Sequence, residues 1–253
     1  MNGLLLHLSA PMQAWGADSQ FGTRLTHPHP TRSGLTGLLA CTLGRTRGEP
    51  LHDLAALSYT IRVDRPGQRL RDYHTVGGGY PRERTVITAD GKRRNDATST
   101  LVSHRWYIAD AAFTAAVTGP ADTIETVAHA LRHPVWQPYL GRRSCPPDSP
   151  LLIAAVNDPV AALDLMPLHR GPDHGRATVN VTFLHDHAPE SGLPPTAELR
   201  DNPNPGGSRA FATRPQWQTT RPMPADLCAG YGTAWLARLT AWRDTLTGPV
   251  TAA

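Results

Sequence analysis

The chain has 253 residues, 40% of them hydrophobic, with 22 Gly and 24 Pro. That apolar share supplies a sizeable core and excludes a wholly disordered chain, while proline at about twice the usual ~5% predicts many loops and few long helices. Lys and Arg number 25 against 21 Asp and Glu, a net charge of +4, and Lys92 is the sole lysine, so guanidinium forks that suit phosphate carry the excess. Cys41, Cys145 and Cys228 form no C-x-x-C pair, which argues against a zinc ribbon or a redox dithiol and fits a reducing cytosol. The opening MNGLLLHLSAP lacks the basic residues and apolar length of a signal peptide, and no run approaches ~18 apolar residues. A cytoplasmic chain without membrane contact is expected.

Leu4, Leu5, Leu6 and Leu8 predict a buried first strand, followed by a proline-rich loop to Pro30. Leu35, Leu38, Leu39 and Leu43 recur at helical spacing, with Thr31 or Ser33 as cap and Gly44 as stop. In residues 58–64, Tyr59, Ile61 and Val63 alternate with Thr60, Arg62 and Asp64, predicting a half-buried strand with the polar set facing solvent. Two further strands are expected at 100–108 and 111–118. A helix follows, opened by a capping box of Asp122 and Glu125 and striped by Ile124, Val127, Ala128 and Leu131. LLIAAV at 151–156 predicts one more strand. The order strand–helix–strand–strand–helix–strand is that of a ferredoxin-like βαββαβ unit, an α+β fold.

Residues 71–99 are polar, basic and glycine-rich without a core pattern, and predict a protruding hairpin or thumb based on Gly77-Gly78-Gly79. Beyond 156 the signals weaken. They predict a helix near 159–165, a strand carrying Val179, Val181 and Phe183, a proline-rich stretch at 189–205, and a strand near 209–217. A tail helix near 233–246 is striped by Trp235, Leu236, Leu239, Trp242 and Leu246.

No P-loop, dinucleotide fingerprint or G-x-S-x-G is present. The pair His129 and His133 lacks the Glu of a zinc-protease helix, because Ala130 stands there, so no metal and no cofactor are expected. A metal-free ribonuclease needs a base and an acid, which His7, His74 and His104 with Tyr73 and Tyr107 supply on paper; packing or RNA contact accounts for the same residues. Nucleic-acid binding has more support. Arg32-Ser33-Gly34 sits at a helix N-terminus, where backbone N–H groups favour phosphate. Arg142-Arg143 follow Gly141 in a turn closed by Cys145-Pro146-Pro147, and Lys92-Arg93-Arg94 lie at the expected thumb tip. Trp15, Tyr73, Tyr80 and Trp106 are polar-flanked aromatics able to stack on bases.

The runs APMQAWG (10–16), FGTR (21–24), PTRSGLTGLLACTLG (30–44), LRDYHTVGGG (70–79), RWYIADAAF (105–113), PYLGRRSCPPDSPLL (138–152) and SRAFATRPQW (208–217) resemble the CasD family. That family supplies the five-prime-handle-binding subunit of Cascade, the type I-E CRISPR surveillance complex. Residues 80–99 and 218–253 have no counterpart in the resemblance. It implies a ferredoxin-like domain of the RRM/RAMP type over 1–156, an inserted β-hairpin thumb at about 71–104, and a smaller β-rich C-terminal part over 157–253. It also implies a non-catalytic subunit that holds the 5′ handle of the CRISPR RNA, touches the backbone and large subunits, and lies near target DNA. The matched residues expected at RNA are Trp15, Arg24, Arg32, Ser33, Gly34, Tyr73, His74, Arg105, Arg142 and Arg143. Arg82, Arg84, Lys92, Arg93 and Arg94 are expected to make the thumb basic.

Overall fold

The computed structural model describes residues 3–16, 22–88, 90–94, 99–173, 175–208 and 210–247. The chain is a mixed α/β structure built on one large, mostly antiparallel sheet. Its first half contributes β1 (Gly3–Gln13), β2 (Trp15–Gly16), β3 (Thr23–Arg24), β4 (Thr26–His27), α1 (Arg32–Thr42), α2 (His52–Ala55), β5 (Ser58–Arg65), β6 (Gln68–Val76) and β7 (Leu101–Thr118). Next come α3 (Ala121–Arg132), β8 (Leu152–Val156), α4 (Pro159–Ala162), β9 (Thr178–His185), β10 (Ala197–Pro203), β11 (Phe211–Pro224) and α5 (Gly232–Thr247). No described helix is long and apolar enough to cross a membrane.

The strands run β10-β11-β9-β5-β7-β1-β8, with β6 and β3 also paired to β7, while β2 and β4 form a separate pair. Leu4, Leu6 and Leu8 pack with Leu35, Leu38 and Leu39 of α1 and with Ile124 and Val127 of α3 into one core on one face of the sheet. Leu5 points to the opposite face, into a second core with Phe183, Met166, Trp235 and Leu239. A strand buried on both faces needs an unbroken apolar run, which is what residues 4–6 supply. Thr31 caps α1 by accepting from the Gly34 amide, and Gly44 ends it in the left-handed region. The capping box expected for α3 does not form. Pro120 is the cap and no side chain satisfies the first turn, so Asp122 acts there only through the helix dipole.

The strands expected at 100–108 and 111–118 are one continuous strand, β7. Its two halves differ in partner. Residues 112–118 pair with β5, whereas 101–109 pair with β6 in register Gln68↔Ala109 to Val76↔Leu101. The change falls at Gly67, where a Cβ would sit 2.5 Å from the Ala109 carbonyl oxygen, opposite Asp110 at φ 56°. β6 and the first half of β7 therefore form the stem of an arm that begins earlier than the sequence suggests. Gly77, Gly78 and Gly79 all have positive φ, and a Cβ on Gly77 would meet the Ser99 carbonyl oxygen at 2.5 Å. The run makes a defined turn out of the stem.

The polar face of β5 is not at the surface. Arg62 and Asp64 are fully buried, because the segment after α4, with α5 behind it, covers that side of the sheet. Beside them His7 Nε2 lies 3.0 Å from His169 Nδ1, and both rings stack on Trp235. Around them lie Thr114 at His7 Nδ1, Asp64 at the His169 amide, Tyr231 beside His169, the Arg62 and Arg65 guanidiniums, and the carboxylates of Asp148 and Asp110, which oppose the lowering of His169. Burial holds His7 well below its ordinary 6.5, with His169 and the arginines pushing the same way, and burial lowers His169 as well. The unfolded chain thus binds protons that the folded one refuses. This contribution to stability is complete above ~6.5 and is lost as pH falls below it, at about 1.4 kcal/mol per pH unit for the His7 proton. Denaturant midpoints measured between pH 7.5 and 5 are expected to fall with acid, and His7→Gln to flatten the slope. A midpoint constant over that range would refute the effect.

Candidate nucleic-acid interface

The alternation of β6 and β7 gives the arm two faces. Leu70, Asp72 and His74 lie opposite Tyr107, Arg105 and Ser103 on one face; Arg69, Arg71 and Tyr73 lie opposite Ile108, Trp106 and His104 on the other. The first face carries the basic site. Arg24, Arg105 and Arg142 line a cleft of about 290 Å³ with Ala14, Gly16, Leu25 and Gly141, and no acidic residue lines it among the described residues. Arg24 is placed by the short parallel pairing of β3 with β7, which sets it beside Arg105. Arg142 lies over the Tyr107 ring at 4.5 Å and donates from Nη2 to the Arg24 carbonyl at 3.2 Å. Its Nη1 is shielded from solvent and has no hydrogen-bond partner among the described residues. A second cleft of about 400 Å³ adjoins at Arg105 and is lined by Leu70, Arg71, Asp72, His74 and Tyr107. His74 Nδ1 is 3.2 Å from the Asp72 carboxylate.

The turn that aims Arg142 is held tightly to the end of β1. Ala14 N donates to Leu140 O, Leu140 N to Cys145 O, and Cys145 N to Arg142 O, at 2.8–3.1 Å. Gly141 has φ +87°, and a Cβ there would sit 1.4 Å from the Ala14 carbonyl oxygen. No other residue type fits. Gly141 and Tyr107 are thus positioning residues for Arg142. In the sequence the first is visible only as the glycine preceding a basic pair, and the second only as an acid or base.

Several expected contacts are corrected by the structure. Trp15 is 0% exposed and its indole N–H donates to Gln13, so its ring faces the core and offers no surface to a base; the indole fills the space that a side chain on Gly34 would need, and the Gly34 amide donates to Thr31. The N-terminus of α1 is already taken by an anion: the Arg32 amide donates to Asp201 at 2.7 Å. The Arg32 side chain is spent on Asp186, Asn202 and the carbonyls of Ala55 and Leu57. Ser33, half-buried, has its hydroxyl 3.4 Å from that of Thr31. Arg32, Arg142 and Arg143 do not converge, and Arg143 lines a different groove, beside Trp136. Tyr73, 64% exposed, and His74 sit on opposite faces of the arm, with Tyr73 against His104.

In the thumb, Thr88 N donates to Lys92 O across a small turn, with Arg84 exposed at its base. Arg93 folds back onto the Thr85 carbonyl, and the Arg94 amide pairs with Val86 O. The Arg82 side chain lies outside the described residues. Trp106 is half-buried under Arg69, at 4.9 Å. The rings of His129 and His133 are 5.1 Å apart, but no group of three or more potential metal ligands occurs among the described residues.

A family model described as CRISPR-associated protein (Cas_Cas5) matches residues 3–216. The chain belongs to the Cas5 family. Against the Cascade subunit CasD of Escherichia coli (strain K12), this Cas5 chain is 38% identical over 179 residues, covering 63% of its own length and 75% of that protein. A chain of a solved structure titled "CRISPR RNA-guided surveillance complex" is 45% identical to it, covers 95% of this chain and 98% of its own length, and superposes with a TM-score of 0.84. A second structure, titled "Crystal structure of Cas protein", is 31% identical with a TM-score of 0.61, covering 91% of this Cas5 chain and 98% of that one. The family's matched region includes all three arginines of the basic cleft.

Proposed function

We propose that the chain is the Cascade subunit that holds the 5′ handle of the CRISPR RNA, and that it does so without cutting it. The observation that carries this is the convergence of Arg24, Arg105 and Arg142 on one cleft that has no carboxylate among the described residues lining it, with one guanidinium nitrogen unpartnered among them. Charge-assisted, bidentate bonds from guanidinium to phosphate are the interaction such a cleft favours. The relatives supply the complex: a Cascade subunit and a chain of a surveillance complex. The strand order β8-β1-β7-β5, with every neighbour antiparallel and α1 and α3 on one face, supports a ferredoxin-like unit over 1–156, to which the 157–253 region adds β9, β11 and β10 beyond β5 and packs α4 and α5 on the opposite face. The projecting arm suits contact with the backbone and large subunits, which bring target DNA near, in the cytoplasm.

A holding role also suits the histidines. His7 is sealed in the core, out of reach of a 2′-hydroxyl. His104 and His74 point to opposite faces of the arm. The test is retention of guide RNA by the assembled complex. Arg105→Ala/Arg142→Ala is expected to weaken retention about a hundredfold or more, as removal of two charge-assisted bonds of ~1.5–3 kcal/mol each implies. The slope of log affinity against log salt should become shallower by about 0.7 for each phosphate no longer neutralised. Wild-type retention and slope in this double variant would remove the cleft from the interface, and cleavage of repeat RNA by the purified chain alone would overturn the non-enzymatic assignment.

A further inference from the structure

On the other side of the 140–145 turn lies a larger groove that the handle cleft does not use. It has a volume of about 980 Å³ and runs between the outer face of α1 and the segment 136–146. Trp136, 44% exposed, and Tyr139 offer rings along it, and among the described residues Arg45, Arg47 and Arg143 line it against one acid, Glu49. Glu49 accepts from the Thr46 amide and hydroxyl, and Arg45 is paired with Asp53, so Arg47 and Arg143 are the exposed cations available to a ligand. Cys41 lines the same groove and is half-buried, whereas Cys145 and Cys228 are buried.

We propose that this groove is a second single-stranded RNA site, in which one base stacks on Trp136 and the flanking phosphates meet Arg47 and Arg143. An exposed indole framed by arginines is what sequence-tolerant binding of a single strand requires: a π-face for a base and cations for the backbone. The charge balance favours a polyanion over an apolar helix. The groove lies across one turn from the handle cleft, with the adjacent residues Arg142 and Arg143 lining one each. RNA leaving the Arg24–Arg105–Arg142 cleft therefore passes around that turn into the groove. The inference rests on the chain being RNA-binding, and its test separates the two claims.

The probe is the alkylation rate of Cys41 in the full-length chain with single-stranded RNA oligonucleotides of graded length, read by mass spectrometry beside an affinity measurement. Short oligonucleotides are expected to bind without protecting Cys41, and longer ones to slow its alkylation severalfold. Trp136→Ala should abolish that protection and weaken binding of the longer oligonucleotides about five- to 150-fold, the span of one base–aromatic stack, while leaving the short ones unaffected. Trp136→Phe should restore both. Arg47→Ala/Arg143→Ala should make the salt slope for long oligonucleotides shallower by about 0.7 for each phosphate no longer neutralised. Long RNA that binds but leaves Cys41 fully reactive overturns the groove and spares the handle cleft. Absence of RNA binding at any length overturns both. Protection of Cys41 by a neighbouring subunit and not by RNA assigns the groove to protein instead.

Discussion

Gly141→Ala is expected to lose as much RNA affinity as Arg142→Ala, although it removes no charge. At φ +87° an L-residue already costs ~1–2 kcal/mol, and its Cβ would overlap the Ala14 carbonyl oxygen at 1.4 Å. Side-chain adjustment cannot relieve that contact, because the obstacle is backbone at the end of β1. The 140–145 turn must lift, which breaks the bonds linking Ala14 to Leu140 and Cys145 to Arg142 and takes the guanidinium off Tyr107. A drop in guide-RNA affinity of at least tenfold is expected. The double variant Gly141→Ala/Arg142→Ala should be little worse than either single change, since both remove the same interaction. Additive losses would mean that Gly141 acts through something other than Arg142.

The parts of this molecule that the sequence discloses are those decided by neighbours in the chain. The Leu spacing of α1, the Thr31 cap, the Gly44 stop and the buried β1 all follow from local pattern and appear where expected. The failures come from partners far along the chain. Arg32 has the hallmarks of a phosphate ligand at a helix start, and nothing near it reveals that Asp186 and Asp201 occupy that position from more than 150 residues away. Trp15 has polar neighbours in sequence and apolar ones in space, because Gly34 opens a slot for its ring. β6 leaves no strand signal because both faces of the arm are largely exposed, so no period-2 hydrophobicity marks it. β10, a proline-rich stretch by sequence, pairs with β11 at the sheet edge and buries only Asp201 fully, so no apolar alternation marks it. Within the site, Arg24, Arg105 and Arg142 are legible as residues, but their convergence needs the β3–β7 pairing and the Gly141 turn. The division of Arg142 from Arg143 is a property of that turn's geometry alone.

Arg62 illustrates the same limit and carries the largest expected effect on stability. Period-2 alternation places it correctly opposite Tyr59 and Ile61, yet the face it occupies is covered by the chain after α4. Its guanidinium pairs with Asp64, with Nε to Oδ1 at 2.6 Å, and donates to the carbonyls of Leu163, Met166 and Pro167. Asp64 in turn accepts from Thr114 and the His169 amide. Arg62→Met leaves a buried carboxylate without its cation and three carbonyls without a donor. Removing one partner of a buried pair costs ~3–5 kcal/mol, which for a chain of this size lowers Tm by roughly 6–20 °C. The double change Arg62→Met/Asp64→Leu should recover part of the loss, because the stranded charge goes with its partner, although Thr114 and the His169 amide then lose their acceptor. Any Arg62→Met chain that remains folded should bind guide RNA as the wild type does, since the basic cleft draws on Arg24, Arg105 and Arg142. A Tm within about 2 °C of wild type, well under the shift that a buried unpaired charge implies, would mean that water or a neighbouring donor replaces the guanidinium. Loss of RNA affinity in the folded fraction would show that the buried network and the cleft are coupled through β7, the strand that bears both Thr114 and Arg105.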